Sequence, residues 1–457
     1  MNRILLLFIA VLLYSCHAEQ VDKNRIPNVL FIMADDLGSG ELGCYGGTDI
    51  LTPNIDQLAS EGMMFSQAYS GNTVCAPARS TLMTGLHAGH GYVRGNTGGI
   101  ALPDSAVTMA EVFKKAGFKT GGFGKWGLGE IGTEGVPEQQ GFDEFVGYYH
   151  QIHAHDYFPD YLYENSKQIQ MSNSENDLNY SAYTIFDRTR SFIEKNKDEP
   201  FFCYASWTLP HGDFVIPDND PAVEFYRSKD WSDERKKYAA MVSLLDKQVG
   251  ELVQTLKGLS LYDNTLIVFC SDNGGLSEFA EYKPNGDLRG FKRDMYEGGL
   301  RVPMIARWYG HIPAGITFDM PVYFPDILPT FAEAIRGSDY VPNYIDGLSL
   351  LKWMKTPSIK HARRNLYWEY PHYDWNKKRY DDSKFKQAFR TRNWKMIKNG
   401  SDKDWEFYNL DPDPNEKDDM AAYHPGKMQK FQQWIEKNRS ESPPQVEPER
   451  LGGKPYR

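Results

Sequence analysis

The segment Asn28-Val29-Leu30-Phe31-Ile32-Met33-Ala34-Asp35-Asp36 decides the fold of this chain. It contains a continuous apolar run, which is typical of a strand buried on both faces of a parallel sheet. Two adjacent carboxylates follow, and burying them is costly unless cations lie beside them. Although acidic pairs also occur in solvated turns, hard oxygen ligands of this kind suit Ca²⁺ or Mg²⁺. The segment therefore predicts an α/β protein with polar chemistry at the end of its first strand.

Further predicted strands repeat this arrangement of a strand followed by polar side chains. They are Phe118–Phe123 before Lys125, Phe201–Trp207 before His211, and Thr265–Cys270 before Asp272 and Asn273. Helical patterns separate them, including Tyr180–Lys197 and Lys236–Leu259. Ligands of open α/β sheets gather at the carboxyl ends of the strands. These groups, which are distant in the sequence, are therefore expected to converge.

The segment Cys75-Ala76-Pro77-Ala78-Arg79-Ser80 begins another helical pattern. Pro77 suits the first turn of a helix, where its missing N–H costs nothing. Cys75 would then lie at the helix N-terminus, where the dipole and the free N–H groups favour an anion. Arg79, one turn later, would project onto the same face. Cys75 is thus either a reactive thiolate or a small buried residue before a helix.

Composition limits the classes of function. The 457 residues, 41% of them hydrophobic, are enough for one large domain or two unequal ones. A formal net charge of −10 argues against a nucleic-acid partner, and an anionic substrate would need local positive charge. The 14% aromatic content suits stacking against sugar faces as well as ordinary packing. Five cysteines do not indicate a disulfide framework.

The N-terminus has the form of an export signal. Within Asn2–Leu13, a charged start precedes an apolar run that is too short to span a bilayer. The string Leu13-Tyr14-Ser15-Cys16 resembles a bacterial lipobox, which predicts a signal peptide over 1–15, lipidation of Cys16 and a polar tether over 16–26. The alternative is an ordinary signal peptide cleaved nearby. Either way we expect an exported bacterial protein, periplasmic or anchored at the cell surface by its lipid.

The pattern Cys75-x-Pro-x-Arg79, followed by Ser-Thr-Leu-Met-Thr-Gly, resembles the signature of the type I sulfatases. The resemblance implies an alkaline-phosphatase-like fold, with a large mixed, mostly parallel sheet sandwiched by helices. We expect the catalytic domain over 27–345 and, over 346–457, a C-terminal subdomain of antiparallel sheet plus helix. It also implies that a formylglycine-generating enzyme oxidises Cys75 to Cα-formylglycine (3-oxoalanine). The hydrated aldehyde then attacks the sulfur of a sulfate ester, and Arg79 offsets charge.

The same resemblance implies a divalent metal site. The family places metal-binding aspartates in the first-strand motif, which corresponds to Asp35 and Asp36. The string Ser-Asp-Asn-Gly resembles its second metal element and adds Asp272 and Asn273. The modified Cys75 and the sulfate would complete the coordination. Ca²⁺ is the expected ion, with Mg²⁺ as second choice.

Other motifs imply sulfate-binding and proton-transfer residues. Lys125, within a string that resembles Gly-Lys-Trp-His-Leu-Gly, matches a sulfate-contacting lysine, but Gly127 replaces the histidine that hydrogen-bonds the nucleophile. Lys292 matches the second sulfate lysine. His211 matches a Pro-His element that contacts sulfate and protonates the leaving oxygen, for which an unperturbed pKa is suitable. Lys292 is the other candidate acid.

Two loops contain weaker candidates. His153 and His155 lie between tyrosines and are predicted to line a sugar pocket, with loop packing and a transition-metal site as alternatives. Arg94 and His90, in a glycine-rich loop, either face an anionic substrate or are simply solvated.

The predicted function is an exported sulfatase acting on sulfated glycans, with a sulfated saccharide as substrate. The alternatives are a phosphomonoester or phosphodiester hydrolase of the same superfamily, and a non-catalytic glycan-binding lipoprotein.

Overall fold

The computed structural model describes residues 25–97, 100–171, 173–174, 177–374 and 379–441. The predicted signal peptide, Cys16 and most of the tether lie outside the described residues, as does the C-terminal end of the chain from residue 442. Within the described ranges, every helix is too short or too polar to cross a lipid bilayer.

The strands alternate with helices along the first two thirds of the chain. The strands are β1 Asn28–Ala34, β2 Met63–Phe65, β3 Ala68–Tyr69, β4 Lys119–Lys125, β5 Glu144–Tyr148, β6 Tyr161–Glu164, β7 Lys167–Gln170, β8 Asn173–Ser174, β9 Asp177–Leu178, β10 Phe201–Ser206, β11 Thr265–Ser271, β12 Met304–Arg307, β13 Ile316–Phe318, β14 Val322–Tyr323, β15 Asn365–Tyr370, β16 Tyr373–Asp374, β17 Arg379–Tyr380, β18 Lys386–Thr391, β19 Trp394–Asn399 and β20 Glu406–Asn409. The α-helices are α1 Pro53–Ser60, α2 Cys75–Thr84, α3 Met109–Lys115, α4 Ser181–Lys195, α5 Pro221–Glu224, α6 Asp233–Gly258, α7 Glu297–Leu300, α8 Ile327–Ala334, α9 Leu351–Lys355 and α10 Pro425–Lys437.

One mixed sheet of ten strands forms the centre of the molecule, in the order β13-β2-β12-β11-β1-β10-β4-β5-β6-β7. The central strands β11, β1, β10, β4 and β5 are parallel to one another. Antiparallel pairs occur toward the edges, where β12 joins β11 and β6 joins β5. The predicted mixed, mostly parallel sheet is confirmed.

Helices cover both faces of this sheet because its central strands are apolar on both sides. In β1, Val29, Phe31 and Met33 pack in a cluster with residues of α2, α3 and α8. The alternate residues Leu30, Ile32 and Ala34 pack with α1, α4 and α6 on the opposite face. The resulting three layers are those expected from the continuous apolar run at the start of the chain.

The register of the central strands sets the position of the polar turns. Ala34 of β1 pairs with Ser271 of β11, and Met33 pairs with Ser206 of β10. Ser206 in turn pairs with Gly124 of β4. The carboxyl ends of these four strands are therefore level, so the residues that follow them emerge along one edge of the sheet.

A second, antiparallel sheet of four strands, β15-β18-β19-β20, forms the C-terminal part. Helix α10 covers one face, where Phe431 and Trp434 pack against Phe389. The other face packs on the larger body, and Trp368 Nε1 donates a hydrogen bond of 2.8 Å to the carbonyl of Ser70. The predicted subdomain of antiparallel sheet plus helix is confirmed, and it supports the loop that leads to Cys75.

Candidate active site

The four predicted oxygen donors lie together at the carboxyl edge of the large sheet. Asp35 and Asp36 follow β1, and Asp272 and Asn273 follow β11, its neighbour. The backbone N–H of Asp36 donates to Asp272 Oδ1 at 3.1 Å, and Asn273 Nδ2 donates to Asp36 Oδ1 at 2.8 Å. All four side chains are buried. Hydrogen bonds therefore hold the two turns together.

Cys75 joins this cluster from the opposite direction. It is the first residue of α2, and its Sγ lies 3.4 Å from Asp35 Oδ1 and 3.7 Å from Asn273 Oδ1. Burial, followed by the charges of Asp272 and Asp35, raises the pKa of the Cys75 thiol above its usual range. The unmodified side chain is therefore a neutral thiol, and the interpretation of Cys75 as a reactive thiolate is wrong.

Three cations balance the buried carboxylates. Arg79 Nη2 lies 3.2 Å from Asp35 Oδ2 and 2.8 Å from Asp272 Oδ2. Lys125 Nζ lies 2.7 Å from Asp35 Oδ2, and Lys292 Nζ lies 2.6 Å from Asp36 Oδ2. Since buried charges are stable only when they are paired, these ion pairs explain how three carboxylates can share one buried site.

The carboxyl groups differ in protonation because their partners differ. Burial raises the pKa of Asp35, but Lys125, His211 and Arg79 outweigh it and hold the net value well below its usual range. Burial likewise opposes ionisation of Asp36, whose net pKa is lowered mainly by Lys292. Burial and the neighbouring charge of Asp35 raise the pKa of Asp272 to about 7. Asp272 is therefore the carboxyl of the cluster that is protonated most readily, and a cation bound beside it would favour its ionised form.

The donor set fits a divalent cation. Ligand atoms of Asp35, Asp36, Cys75 and His211 all lie within 4.8 Å of one another. Asp272 and the amide oxygen of Asn273 add oxygens on the same side of the sheet. Carboxylate and amide oxygens are the ligands preferred by Ca²⁺ and Mg²⁺. The residues present therefore match the group that the sequence predicts.

His211 lies at the edge of the cluster as a neutral imidazole. Its Nδ1 is 2.8 Å from the carbonyl of Gly212 and must carry the proton, since a carbonyl only accepts. Its Nε2 lies 3.4 Å from Lys292 Nζ and therefore accepts. Burial, followed by the charge of Lys125, lowers the pKa of His211 to about 3. The expectation of an unperturbed pKa at His211 is wrong, and Lys292 holds the proton between the two side chains.

A cleft of about 540 Å³ opens above Asp36, His211 and Lys292. His155 lines it, and its ring centroid lies 4.2 Å from that of His211. The rim contains exposed side chains that sequence reasoning missed: Asp213, Asp233, Glu234, Lys237, Glu278 and Arg293. Charged residues in a loop or at a helix start look like any solvated surface, so no sequence signal distinguishes them.

His153 and Arg94 are not at this cleft. His153 is buried between the rings of Tyr148 and Tyr161, at centroid distances of 4.9 and 4.6 Å. All five N–H donors of Arg94 are engaged, with the Glu369 carboxylate and with oxygens of Gly91, Ser440 and Glu441. The predictions that these two residues contact substrate are therefore wrong, because neither side chain is available.

Gly127, two residues after the end of β4, lies close to Gln151, three residues after the end of β5. Gly127 has a φ of +78°, in the region that favours glycine. A Cβ added at Gly127 would lie 2.4 Å from Gln151 Nε2. The side chain of Gln151 therefore occupies the space above Gly127, where the resemblance leads one to expect a histidine.

Comparisons with known proteins agree with this geometry. The family model described as Sulfatase matches residues 27–338, and one described as N-sulphoglucosamine sulphohydrolase, C-terminal, matches 287–442. The chain is 30% identical to the human N-acetylgalactosamine-6-sulfatase over 71% of its own length and 65% of that protein. It is 27% identical to the N-acetylgalactosamine-6-O-sulfatase of Bacteroides thetaiotaomicron, over 93% of its own length and 96% of that protein.

A solved structure is similar over most of both chains. It is that of Ps i-CgsB in complex with k-i-k-neocarrahexaose, with a TM-score of 0.79, 30% identity, and coverage of 91% of this chain and 94% of that one. Three findings support one assignment: the central sheet between two layers of helices, the small antiparallel sheet, and the match to the family model. This chain belongs to the sulfatase family, the sulfuric ester hydrolases of the alkaline-phosphatase-like fold.

Proposed function

We propose that this protein removes sulfate groups from sulfated glycans, with a formylglycine derived from Cys75 as its nucleophile. One observation carries the proposal. Cys75 Sγ lies 3.4 Å from Asp35 Oδ1, while Arg79 and Lys125 contact the other oxygen of the same carboxylate. Residue 75 therefore lies where an oxygen nucleophile would adjoin both the carboxylates that would hold a cation and the fixed positive charges of Arg79 and Lys125, which favours attack on a sulfate ester.

Two groups would be added to the chain as translated. Formylglycine at position 75 would supply a hydrated aldehyde whose oxygen attacks the ester sulfur. Asp35, Asp36, Asp272 and Asn273 would hold a divalent cation, Ca²⁺ by preference and Mg²⁺ as second choice, which would supply charge that polarises the sulfate. Cys75 as modified would be a further ligand of the cation.

Lys125, Lys292 and Arg79 would bind and neutralise the sulfate. Lys125 approaches the cluster from the end of β4 and Lys292 from a turn before α7, and each forms an ion pair within the cluster. A lysine ammonium is a compact point charge, so each lysine can bind one oxygen of an anion. Arg79 is fully buried behind Asp35 and Asp272, so it would fix the positions of those carboxylates.

Lys292 and His211 would deliver the proton to the departing alcohol. Lys292 Nζ faces His211 Nε2 at 3.4 Å, and both line the cleft from which the leaving group departs. Because the neutral imidazole accepts at Nε2, the ammonium of Lys292 is the proton source. His211 would orient that ammonium and accept a hydrogen bond from it.

Support for a glycan substrate comes from the cleft and from the relatives. The cleft has room for a sugar ring, with His155 and Phe214 beside it. Aromatic faces of this kind suit contact with sugars. Two of the relatives named above are N-acetylgalactosamine-6-sulfatases, and Ps i-CgsB forms a complex with k-i-k-neocarrahexaose.

The remaining sequence predictions are part of the same proposal. We propose a catalytic domain over 27–345 and a C-terminal subdomain over 346–457. We also propose maturation by a formylglycine-generating enzyme, export to the periplasm or cell surface, and membrane anchoring through a lipid on Cys16.

The direct test measures sulfate release from a panel of defined sulfated saccharides. The protein is produced together with a formylglycine-generating enzyme and supplied with Ca²⁺. Wild type should release sulfate, and Cys75→Ala should not. Cys44→Ala should also release sulfate, because Cys44 lies outside the cluster in a partly exposed position. Equal release by Cys75→Ala and wild type would contradict the proposal.

A paired assay with aryl sulfate and aryl phosphate esters separates the alternatives. A higher kcat/KM on the sulfate supports the sulfatase. A higher value on the phosphate would indicate a phosphoester hydrolase, and saccharide binding without turnover would indicate a glycan-binding protein.

A further inference from the structure

The side-chain amide of Gln151 is buried without a partner. The residue is 5% exposed, and among the described residues neither its Nε2 nor its Oε1 has a hydrogen-bond partner. Buried side-chain amides nearly always form hydrogen bonds, and an exception usually has a functional explanation. Leaving both atoms unpaired lowers stability, which favours a hydrogen-bonding partner from outside the chain.

This amide lies directly on Gly127. A Cβ at position 127 would come within 2.4 Å of Gln151 Nε2 and within 2.9 Å of its Cδ. The left-handed backbone of Gly127, with φ of +78°, also favours a residue without a side chain. The absence of a side chain at position 127 therefore creates the space that the amide occupies.

The location of Gly127 places the amide at the carboxyl edge of the large sheet. The backbone N–H groups of Trp126 and Gly127 donate to the carbonyls of Tyr148 and Tyr149, at 2.9 and 3.0 Å, so this segment extends along the carboxyl end of β5. The Trp126 side chain packs in the core on one face of the sheet. Lys125 ends β4 and its Nζ contacts Asp35, so position 127, two residues farther along the chain, lies at the same carboxyl edge of the sheet as the candidate active site.

We propose that Gln151 binds a hydroxyl group at the active site. An amide with both atoms free offers one donor group and one acceptor, and a hydroxyl can satisfy both, whereas a sulfate oxygen can only accept. Two hydroxyl groups could be present: one on the sugar of the substrate, and one on the hydrated aldehyde at position 75. The inference rests on the proposed function, because that function brings both groups to the site.

The variant Gln151→Met tests the proposal because it conserves volume and removes both polar atoms. It should lower kcat/KM for a sulfated saccharide by roughly tenfold or more, while Tm stays equal or rises. The matched control is Gln140→Met, at another buried glutamine, whose Nε2 donates to the carbonyl of Glu134 at 3.0 Å. That change should lower Tm and leave kcat/KM unchanged.

An aryl sulfate without hydroxyl groups distinguishes the two sources. If Gln151→Met loses activity on the saccharide alone, Gln151 binds a sugar hydroxyl. If it loses activity equally on both substrates, Gln151 binds the hydrated aldehyde at position 75. Either result supports the proposal.

A second pair of variants tests the contact with Gly127. Gly127→Ala should displace the amide and lower kcat/KM. The double variant Gly127→Ala/Gln151→Met should then lose less kcat/KM than the two single variants together predict, because both changes remove the same interaction.

Unchanged kcat/KM of Gln151→Met on both substrates, with an active wild type, would overturn this inference and leave the proposed function intact. A fall in Tm equal to that of Gln140→Met would also overturn it. Should the wild type release no sulfate, the proposed function fails, and the Tm rise caused by added sulfated saccharide decides the inference. A rise in the Tm of wild type that is absent in Gln151→Met supports the inference. An equal rise in Tm in both proteins, or no rise in either, overturns it.

Discussion

Lys395 Nζ, in the middle of the small C-terminal sheet, lies 2.9 Å from Glu297 Oε1 in the larger body. The same ammonium lies 2.8 Å from Glu416 Oε1, and all three side chains are buried. Glu297 begins the short helix that follows the Lys292 loop. The C-terminal sheet therefore stabilises the segment that positions a proposed active-site lysine.

Replacing Lys395 should destabilise the whole protein. Lys395→Met removes the cation that Glu297 and Glu416 share, and Arg301, 3.5 Å from Glu297, remains as a partner of Glu297. The expected cost is about 3–5 kcal/mol of unfolding free energy. Urea unfolding followed by circular dichroism measures this. The matched control Lys403→Met, at an exposed position of the same subdomain, should change stability by less than about 0.5 kcal/mol. A comparable small loss for both variants would contradict the role given to Lys395.

His87 should make stability depend on pH. Its Nδ1 accepts a hydrogen bond from the backbone N–H of Gly89 at 3.0 Å, and burial lowers its pKa to about 4. An unfolded histidine has a pKa of about 6.5, so between these values the unfolded state binds more protons and stability falls as pH falls.

The expected loss from His87 between pH 7 and pH 5 is about 1–2 kcal/mol. The unfolding free energy of each protein is measured at the two pH values. It should fall less for His87→Gln than for wild type. His361→Gln, at a partly exposed position, should behave as wild type does. An unchanged pH dependence in His87→Gln would show that other groups cause it.

The Lys292–His211 pair predicts a dependence on the leaving group. An alcohol of a sugar needs a proton as it departs, whereas a nitrophenolate does not. Lys292→Ala should therefore reduce kcat on a sulfated saccharide more than on nitrophenyl sulfate, by a further factor of about 10²–10⁴. Lys237→Ala, on the rim of the same cleft, should leave this ratio unchanged. Equal losses on both substrates would exclude Lys292 as the proton donor.

Calcium should stabilise the folded protein. Asp35, Asp36 and Asp272 bring carboxylate oxygens together in one buried cluster, and a cation that binds them only in the folded state should raise Tm. The gain in unfolding free energy should be about 2.7 kcal/mol at one hundred times the dissociation constant. Asp272→Asn should weaken this response, and Glu278→Gln on the cleft rim should not. A Tm that does not respond to Ca²⁺ or Mg²⁺ would contradict a metal site here.

The sequence predicts the positions of the site residues that follow strands. Asp35, Asp36, Asp272 and Asn273 meet because parallel strands β1 and β11 are neighbours in register, which is a property of the apolar runs before them. Cys75 at the start of α2 follows from Pro77 and the helical pattern. The same reasoning explains Lys125 at the end of β4.

Loop residues could not be assigned from the sequence because their partners are distant. Arg94 is buried against Glu369 and Ser440, which belong to the C-terminal part of the chain, and no local pattern predicts that pairing. His153 and His155 are two residues apart, yet only His155 lines the cleft. The altered pKa of His211 likewise depends on burial and on Lys125, which only the folded structure shows.

The most direct test of the central claim is the mass of the peptide that contains residue 75, isolated from protein made in its native host. The account predicts the mass of an aldehyde at this position, together with reaction with a hydrazide, while Cys203 and Cys270 remain thiols. An unmodified thiol at residue 75 in protein that still releases sulfate would contradict it.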